Sequence, residues 1–290
     1  MRLNENIAVS TPRVLLVPYD AHHVLRYHEW MQDPAIREAT ASDQLTLDEE
    51  FENQLSWRTS HDKLTFIVCK PCAATMNGAV EEEQGGRYER ESEVVYAGEA
   101  DARERMVGDV NLFLTPWEDD DAEDDESTGQ KKGREIGRGE KVQFCTGEVD
   151  IMIAEAADRG KGMGKAVVSA FLAFVRRNLG AILEEYGEGG SKDGSAQTNN
   201  ASPPCSEMEK KRKDKKRFEL KDLMVKIKAD NAGSIALFGG LGFRQRGRVN
   251  YFGEIQMVLE GFGNGDAEKT GLGEVDDGYR ECVYDRSRLG

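Results

Sequence analysis

The sequence predicts an α+β fold: a mixed sheet with helices on both faces, broken by long insertions. Three observations predict it. Short apolar, β-prone runs alternate with segments whose apolar residues recur at helical spacing. One strand-like run, residues 148–154, breaks into glycines and opens directly into a helix-like run, residues 165–179. Charge and glycine concentrate in three interruptions and a tail, which leaves material for one core rather than two.

The elements follow in order. Residues 13–19 read as a first strand. Asp20 can cap a helix running to Met31, which Asp33-Pro34 would stop. Thr46 and Glu49 make a capping box, and Leu47, Phe51 and Leu55 sit four apart along the helix it opens. Runs at 64–68 and 107–114 would pair as a hairpin around the first insertion. Residues 148–154 give a fourth strand, then the glycine bend, then a helix with Val168, Leu172, Val175 and Leu179 on its apolar positions. Residues 220–229 read as a fifth strand. It leads into a helix in which Ile235, Phe238 and Leu241 share a face. Asp230 or Asn231 can cap that helix, and Gly242 suits the left-handed position beyond its end. Residues 245–259 can form a last hairpin, with Val249, Tyr251, Ile255, Met257 and Leu259 as its β-prone side chains.

Apolar residues make up 38% of the 290 and charged ones 32%, more charge than a single compact body of that length would carry. The excess lies in insertions at about 71–105, 118–141 and 184–216 and in the tail 261–290. None of these can bury enough apolar surface to offset its ordering entropy, so all four are expected to be flexible. A single domain over 1–260 is the expectation. The net charge of −15 disfavours non-specific nucleic-acid or membrane partners on electrostatic grounds. A basic run at 210–217 reads as a nuclear-import signal, a polyanion contact or a solvated charge cluster. Pro12, Arg13 and Asp20 interrupt any signal-peptide pattern, and no run approaches the apolar length of a membrane helix. The expected location is the cytoplasm, with the basic run leaving the nucleus open. Five cysteines without regular spacing include Cys69-x-x-Cys72, with no second pair to close a metal site. His22, His23, His28 and His61 all lie in the N-terminal region, and no metal is expected.

Chemistry concentrates at the bend Arg159-Gly160-Lys161-Gly162-Met163-Gly164. A strand that breaks into glycines and opens a helix directs unpaired N–H groups and the positive end of a helix dipole at one spot, which suits a phosphate. A Walker loop is excluded because Ala166 follows Lys165, and a dinucleotide fingerprint is one residue short. Arg159-x-x-Gly162-x-Gly164 resembles instead the acetyl-CoA pyrophosphate loop of GNAT superfamily acetyltransferases. The segment Asn231-x-x-Ser234-Ile235-x-Leu237-Phe238-x-x-Leu241-Gly242-Phe243 resembles the second cofactor motif of that superfamily. Collinear blocks at 1–6, 26–31, 45–50, 62–68, 106–114 and 147–155 are similar to the N-acetyltransferase 9-like branch.

The resemblance implies a GNAT acyltransferase fold: a mixed, mostly antiparallel twisted sheet, splayed between its fourth and fifth strands. It implies acetyl-CoA as cosubstrate and direct attack by a protein or peptide amine in a ternary complex. By the same carry-over, Arg159, Gly160, Lys161, Gly162, Met163 and Gly164 take the pyrophosphate. Ile151 and Ile153 bind pantetheine through their backbone, and Asn231 and Phe238 complete the cofactor set. Glu148 and Asp150 alternate with Val149 and Ile151, so both carboxylates project to one strand face, where either could draw a proton from the amine. Asp109 is a further candidate of the same kind. Many relatives place a tyrosine at the position of Phe238 to protonate the leaving thiolate; here that role is unfilled, and Asn231 or Ser234 could donate instead. A site without a strong base favours an N-terminal α-amine, with a pKa near 7.7–8, over lysine, near 10.4. The competing reading is a catalytically weak GNAT-fold module that acts by binding coenzyme A or a partner.

Overall fold

Among the described residues, eleven strands share one sheet, and their order leaves two parallel seams. The computed structural model describes residues 1–71, 94–117, 134–136, 140–189, 217–264 and 278–289. The acidic run at 118–126, the basic residues 210–216, Cys72 and Cys205 lie outside them. The strands are β1 (Ile7–Ser10), β2 (Leu15–Pro18), β3 (Lys63–Cys69), β4 (Val94–Tyr96), β5 (Met106–Pro116), β6 (Arg134–Ile136), β7 (Glu140–Ile153), β8 (Arg217–Lys228), β9 (Arg244–Arg246), β10 (Glu254–Glu260) and β11 (Arg280–Asp285). In space they run β4-β11-β1-β2-β3-β5-β7-β8-β10-β9, with β6 paired onto β7. Every junction is antiparallel except β11/β4 and β7/β8.

Two apolar clusters sandwich this sheet. On one face lie α4 (Met163–Gly189) and α5 (Ala232–Gly240). Here Val167, Val168, Phe171, Leu172, Phe174, Val175 and Ile182 pack against Leu64, Phe66, Val110, Leu112 and Val149. Each such side chain, fully buried, contributes roughly 1.5–3 kcal/mol. The other face carries α1 (Val24–Trp30), α2 (Pro34–Thr40) and α3 (Leu47–Thr59). Tyr27, Trp30 and Ile36 there cover Val17, Ile67 and Met152. The expected mixed sheet with helices on both faces is therefore present.

Several local expectations are corrected. Asp33-Pro34 ends one helix and opens another: the Asp33 carboxylate accepts the N–H of Ala35, and proline sits in the first turn of α2, where its missing N–H costs nothing. The capping box of α3 forms as expected. Its apolar row does not face the core, however: Phe51 and Leu55 are exposed while Glu50 and Gln54 are buried. The reason is a polar clasp, since Gln54 Nε2 donates to the Tyr19 carbonyl at 2.8 Å.

The insertions and tail are also more structured than composition suggests. Val94–Tyr96 is a strand within the first of them, and α4 continues to Gly189 into the third. The tail returns as β11, which pairs antiparallel with β1, Ile7 opposite Val283. Buried Cys282 and Tyr284 anchor it. By length and hydropathy α4 is apolar enough to cross a membrane, contrary to the reading of the sequence; in this fold its apolar side covers the sheet.

Candidate active site

β7 and β8 run parallel and paired from Val142 opposite Arg217 to Glu148 opposite Met224, and there the pairing ends. β7 continues to Ile153 along β5, while β8 continues to Lys228 along β10. A wedge opens between them. The Ala154 N–H bonds to the Val107 carbonyl at 2.8 Å, toward the β5 side. Backbone direction alternates along a strand, so Met152 and Asp150 also face β5. The peptide groups of Ile151 and Ile153 then face the wedge.

Beyond β7 a short turn, Ala156–Asp158, leads to the glycine bend and into α4. Gly160 and Gly162 have φ of 70° and 78°, the left-handed region that glycine enters without steric cost. Among the described residues, Ala166 is the first amide after Arg159 to meet a backbone carbonyl, that of Gly162 at 3.2 Å. The amides of residues 160–165 are thus left free at the positive end of a 27-residue helix. A Cβ at Gly162 would also lie 2.9 Å from Arg13 Nη2, so the tip of that side chain would have to shift. Arg13 Nη2 donates to the Lys161 carbonyl at 3.1 Å, bringing a guanidinium from the β1–β2 turn onto the bend.

Three acids line the face of β5 and β7 beneath α1. Glu148 is held by Lys226 Nζ at 2.8 Å. Asp150, reached by solvent, lies across from Asn111. The protein mass around it is the first cause that pushes its pKa up to about 6, with Glu148 and Glu254 adding and Lys226 opposing. Asp109 is buried. It accepts from Asn111 Nδ2 at 2.9 Å and from the Tyr27 hydroxyl at 3.4 Å. Burial, reinforced by the Asp150 charge, pushes it up to about 7 despite those two donors. A wedge where strand pairing ends, a glycine bend with amides at a helix N-terminus and a carboxylate raised to about 6 lie together at this end of the sheet.

Comparison with known proteins fits this geometry. Residues 13–244 match the family described as "Acetyltransferase (GNAT) domain". The chain is 32% identical over 262 residues to an N-acetyltransferase 9-like protein of Caenorhabditis briggsae, covering 90% of this chain and 89% of that one. It is 32% identical to the N-acetyltransferase 9-like protein of Schizosaccharomyces pombe, covering 89% and 98%. It is 34% identical to the Drosophila melanogaster protein named alpha/beta-tubulin-N-acetyltransferase 9, covering 89% and 88%.

The chain belongs to the GNAT acetyltransferase family. Within that family it falls in the N-acetyltransferase 9-like branch.

The structure brings most of the expected GNAT site residues to one end of the sheet. Arg159 is there, but its Nε donates to the Ile153 carbonyl at 2.7 Å and its Nη2 to the Ala154 carbonyl at 2.9 Å. It braces the strand exit and leaves only part of its guanidinium for a ligand. A Cβ on Gly164 would lie 3.3 Å from Leu237 Cδ2, so α5 comes close to the bend there. Asn231 caps α5, accepting the Ser234 N–H at 3.0 Å, so both residues have structural work as well as any catalytic one. Phe238, expected in the cofactor set, lies on α5. Its ring is buried against Phe243, centroids 5.2 Å apart, because helical spacing turns it to the core while Leu237 faces the bend.

Arg13, Asn111 and Tyr27 were missed as site residues. Asn111 had a legible signal, since it alternates with Asp109 on an otherwise apolar strand. Arg13 had none, because its place on the bend depends on tertiary packing of the β1–β2 turn.

Two histidines come together away from this site. His22 and His23 direct their Nε2 atoms at Asp101 Oδ2, 3.2 and 2.9 Å away. The Asp20 N–H donates to His23 Nδ1 at 3.0 Å, so the His23 proton resides on Nε2 and is given to Asp101. Burial holds His23 below the usual histidine range. Burial alone would raise Asp101, but hydrogen bonds from both histidines and Tyr284 hold it well below the usual carboxylate range. With the His23 lone pair already engaged, the group is a neutral-to-anion hydrogen-bond clasp.

Proposed function

We propose that the protein transfers acetyl from acetyl-CoA to the N-terminal α-amine of a polypeptide. The observation that carries this reading is the wedge: past Glu148 and Met224 the β7/β8 pairing ends, and the Ile151 peptide and Ile153 N–H that face it lead to the amides of residues 160–165. The residues present suit coenzyme A. Its diphosphate needs close donors, no obstructing Cβ and nearby cations, supplied here by the bend, Gly160 and Gly162, and Arg13, Lys161 and Lys165. When bound, acetyl-CoA supplies an activated acyl carbon. The Ile151 peptide and the Ile153 N–H would hold its arm in line with the acceptor.

Asp150 is the base in this reading. It faces the wedge region, solvent reaches it, and a carboxylate titrating near 6 is about 2 pH units below an α-ammonium but about 4 below lysine. The smaller gap favours the α-amine. Glu148 is the poorer base because Lys226 already occupies it. Lys226 and Lys228 pair with Glu148 and Glu254, which leaves the Asp150 charge to draw a cationic amine.

A polypeptide acceptor is favoured by the β9–β10 hairpin. Its tip stands at the wedge end of β8, where Lys228 Nζ holds the Phe252 carbonyl at 2.9 Å. Asn250 Oδ1 accepts the N–H groups of Phe252 and Glu254, both at 2.9 Å. A turn ordered this way presents Tyr251 and Phe252, 97% and 70% exposed, as rigid apolar surface of the kind that anchors chains. The relatives named for tubulin make α- and β-tubulin N-terminal peptides the first acceptors to test. Mass spectrometry of peptides incubated with acetyl-CoA should find acetyl on the α-amine, with kcat reduced at least about 100-fold in Asp150→Asn. Acetyl only on lysine, or full activity in Asp150→Asn, would refute the assignment.

A further inference from the structure

Asp109 and Asp150 occupy neighbouring strands on one face, and Asn111 stands between them. It lies two residues along β5 from Asp109 and directly across from Asp150. Directly opposed side chains have Cβ atoms roughly 5 Å apart, so the Asn111 amide is within reach of both carboxyls. Its Nδ2 donates to Asp109 Oδ2 at 2.9 Å. Its Oδ1 is buried and, among the described residues, meets no donor. An orphaned acceptor inside a strand pair calls for a physical cause.

We propose that the Asn111 amide couples Asp109 to Asp150, so that the two carboxyls share one negative charge and Asp109 is the positioning residue of the base. The inference rests on reading Asp150 as that base. With Asp109 ionised, the amide stands as observed, its N–H on Asp109 and its oxygen accepting the O–H of protonated Asp150. With Asp109 protonated, the amide turns over: its oxygen accepts from Asp109 and its N–H donates to ionised Asp150. The proton count of the pair is one in both states, the proton passing from Asp150 to Asp109. Each state pairs the orphaned oxygen, and the second holds Asp150 ready to take a proton from the amine.

The order of ionisation agrees. Asp150 gives up its proton near 6, and its charge then opposes the loss of the Asp109 proton, which stays until about 7. Around Asp109 stand Tyr27 of α1, Tyr19, and Glu50 of α3 with His28 beside it. Around Asp150 stand Glu148 on its own strand, Lys226 on β8 and Glu254 on β10. Lys226, the cation among them, is occupied by Glu148 at 2.8 Å. Asn111, directly across on β5, is a neutral amide placed to answer the Asp150 charge once it turns away from Asp109.

The test is a carbon-13 carboxyl NMR titration of aspartates in the full chain, read beside the pH dependence of kcat/KM. In the parent, Asp109 and Asp150 should titrate in two interdependent steps. Asp109→Asn, which mimics permanently protonated Asp109, should leave Asp150 a single step close to the parent's first one and abolish the second step near 7. Asn111→Leu, which removes the donor, should raise Asp150 by about one pH unit and uncouple Asp109 from it. The acid limb of kcat/KM should stay in place in Asp109→Asn and rise in Asn111→Leu, with KM for acetyl-CoA unchanged in both. An Asp150 titration that keeps its second step in folded Asp109→Asn, or that stays in place in folded Asn111→Leu, would overturn the coupling. Parental rate and pH profile in Asp150→Asn would overturn the base assignment alone, and the NMR titration would still decide whether the carboxyls are coupled.

Discussion

Gly162 shows how a single missing Cβ sets the cofactor site. Its φ of 78° disfavours any L side chain, and a methyl would press on Arg13. Gly162→Ala should therefore bind acetyl-CoA about tenfold more weakly, or worse, by titration calorimetry, without unfolding the core. Asp109 leaves a different signature. Its folded pKa of about 7 stands above the ordinary 3.8. The folded chain thus keeps a proton that the unfolded chain has released, and stability falls as pH rises from near 3.8 to about 7 and is level above. Asp109→Asn removes that dependence. It should melt higher than the parent at pH 8, by a few kcal/mol of stability, and the gap should close toward pH 4. A constant gap across pH would deny the buried charge its role.

At the scale of the element, α3 separates what is local from what is not. The Thr46–Glu49 capping box was legible because both partners lie within one turn, and Thr46→Ala should cost ~1 kcal/mol in denaturant unfolding. The orientation of α3 was not legible. Apolar spacing pointed to Phe51 and Leu55, yet the helix buries Gln54, whose amide completes the Tyr19 carbonyl. Gln54→Ala should accordingly cost ~1–3 kcal/mol, while Leu55→Ser should change stability by no more than about 0.5 kcal/mol. The opposite ranking would restore the reading from periodicity. The glycine bend and the α5 cap were readable for the same local reason as the capping box. The strands β1, β4 and β11 were not, because β1 and β11 find each other across nearly the whole chain and each run is too short to announce itself. In the site, Asp150 was visible by alternation on its strand. Arg13 was not, since nothing in its neighbours encodes the docking of a distant turn.

Across the whole molecule, Asp101 ties three remote segments together. His22 and His23 precede α1, Asp101 follows β4, and Tyr284 lies in β11; all three side chains converge on one carboxylate. Arg286 adds bonds from the same C-terminal segment to Asp20 and Asn6. Removing the carboxylate strands the buried donors of His23 and Tyr284, so Asp101→Ala should cost about 1–3 kcal/mol for each donor left unpaired and lower the melting temperature without altering the affinity for acetyl-CoA in the folded fraction. The clasp and the cofactor site occupy different regions of one continuous sheet. The account's central claim is that coenzyme A is held by backbone left free where β7 parts from β8. Amide hydrogen exchange of the full chain with and without acetyl-CoA tests it most directly. Slowed exchange at residues 149–153 and 160–165, with β1 and β11 unchanged, is the predicted result. Unchanged exchange at those amides under saturating acetyl-CoA would contradict it.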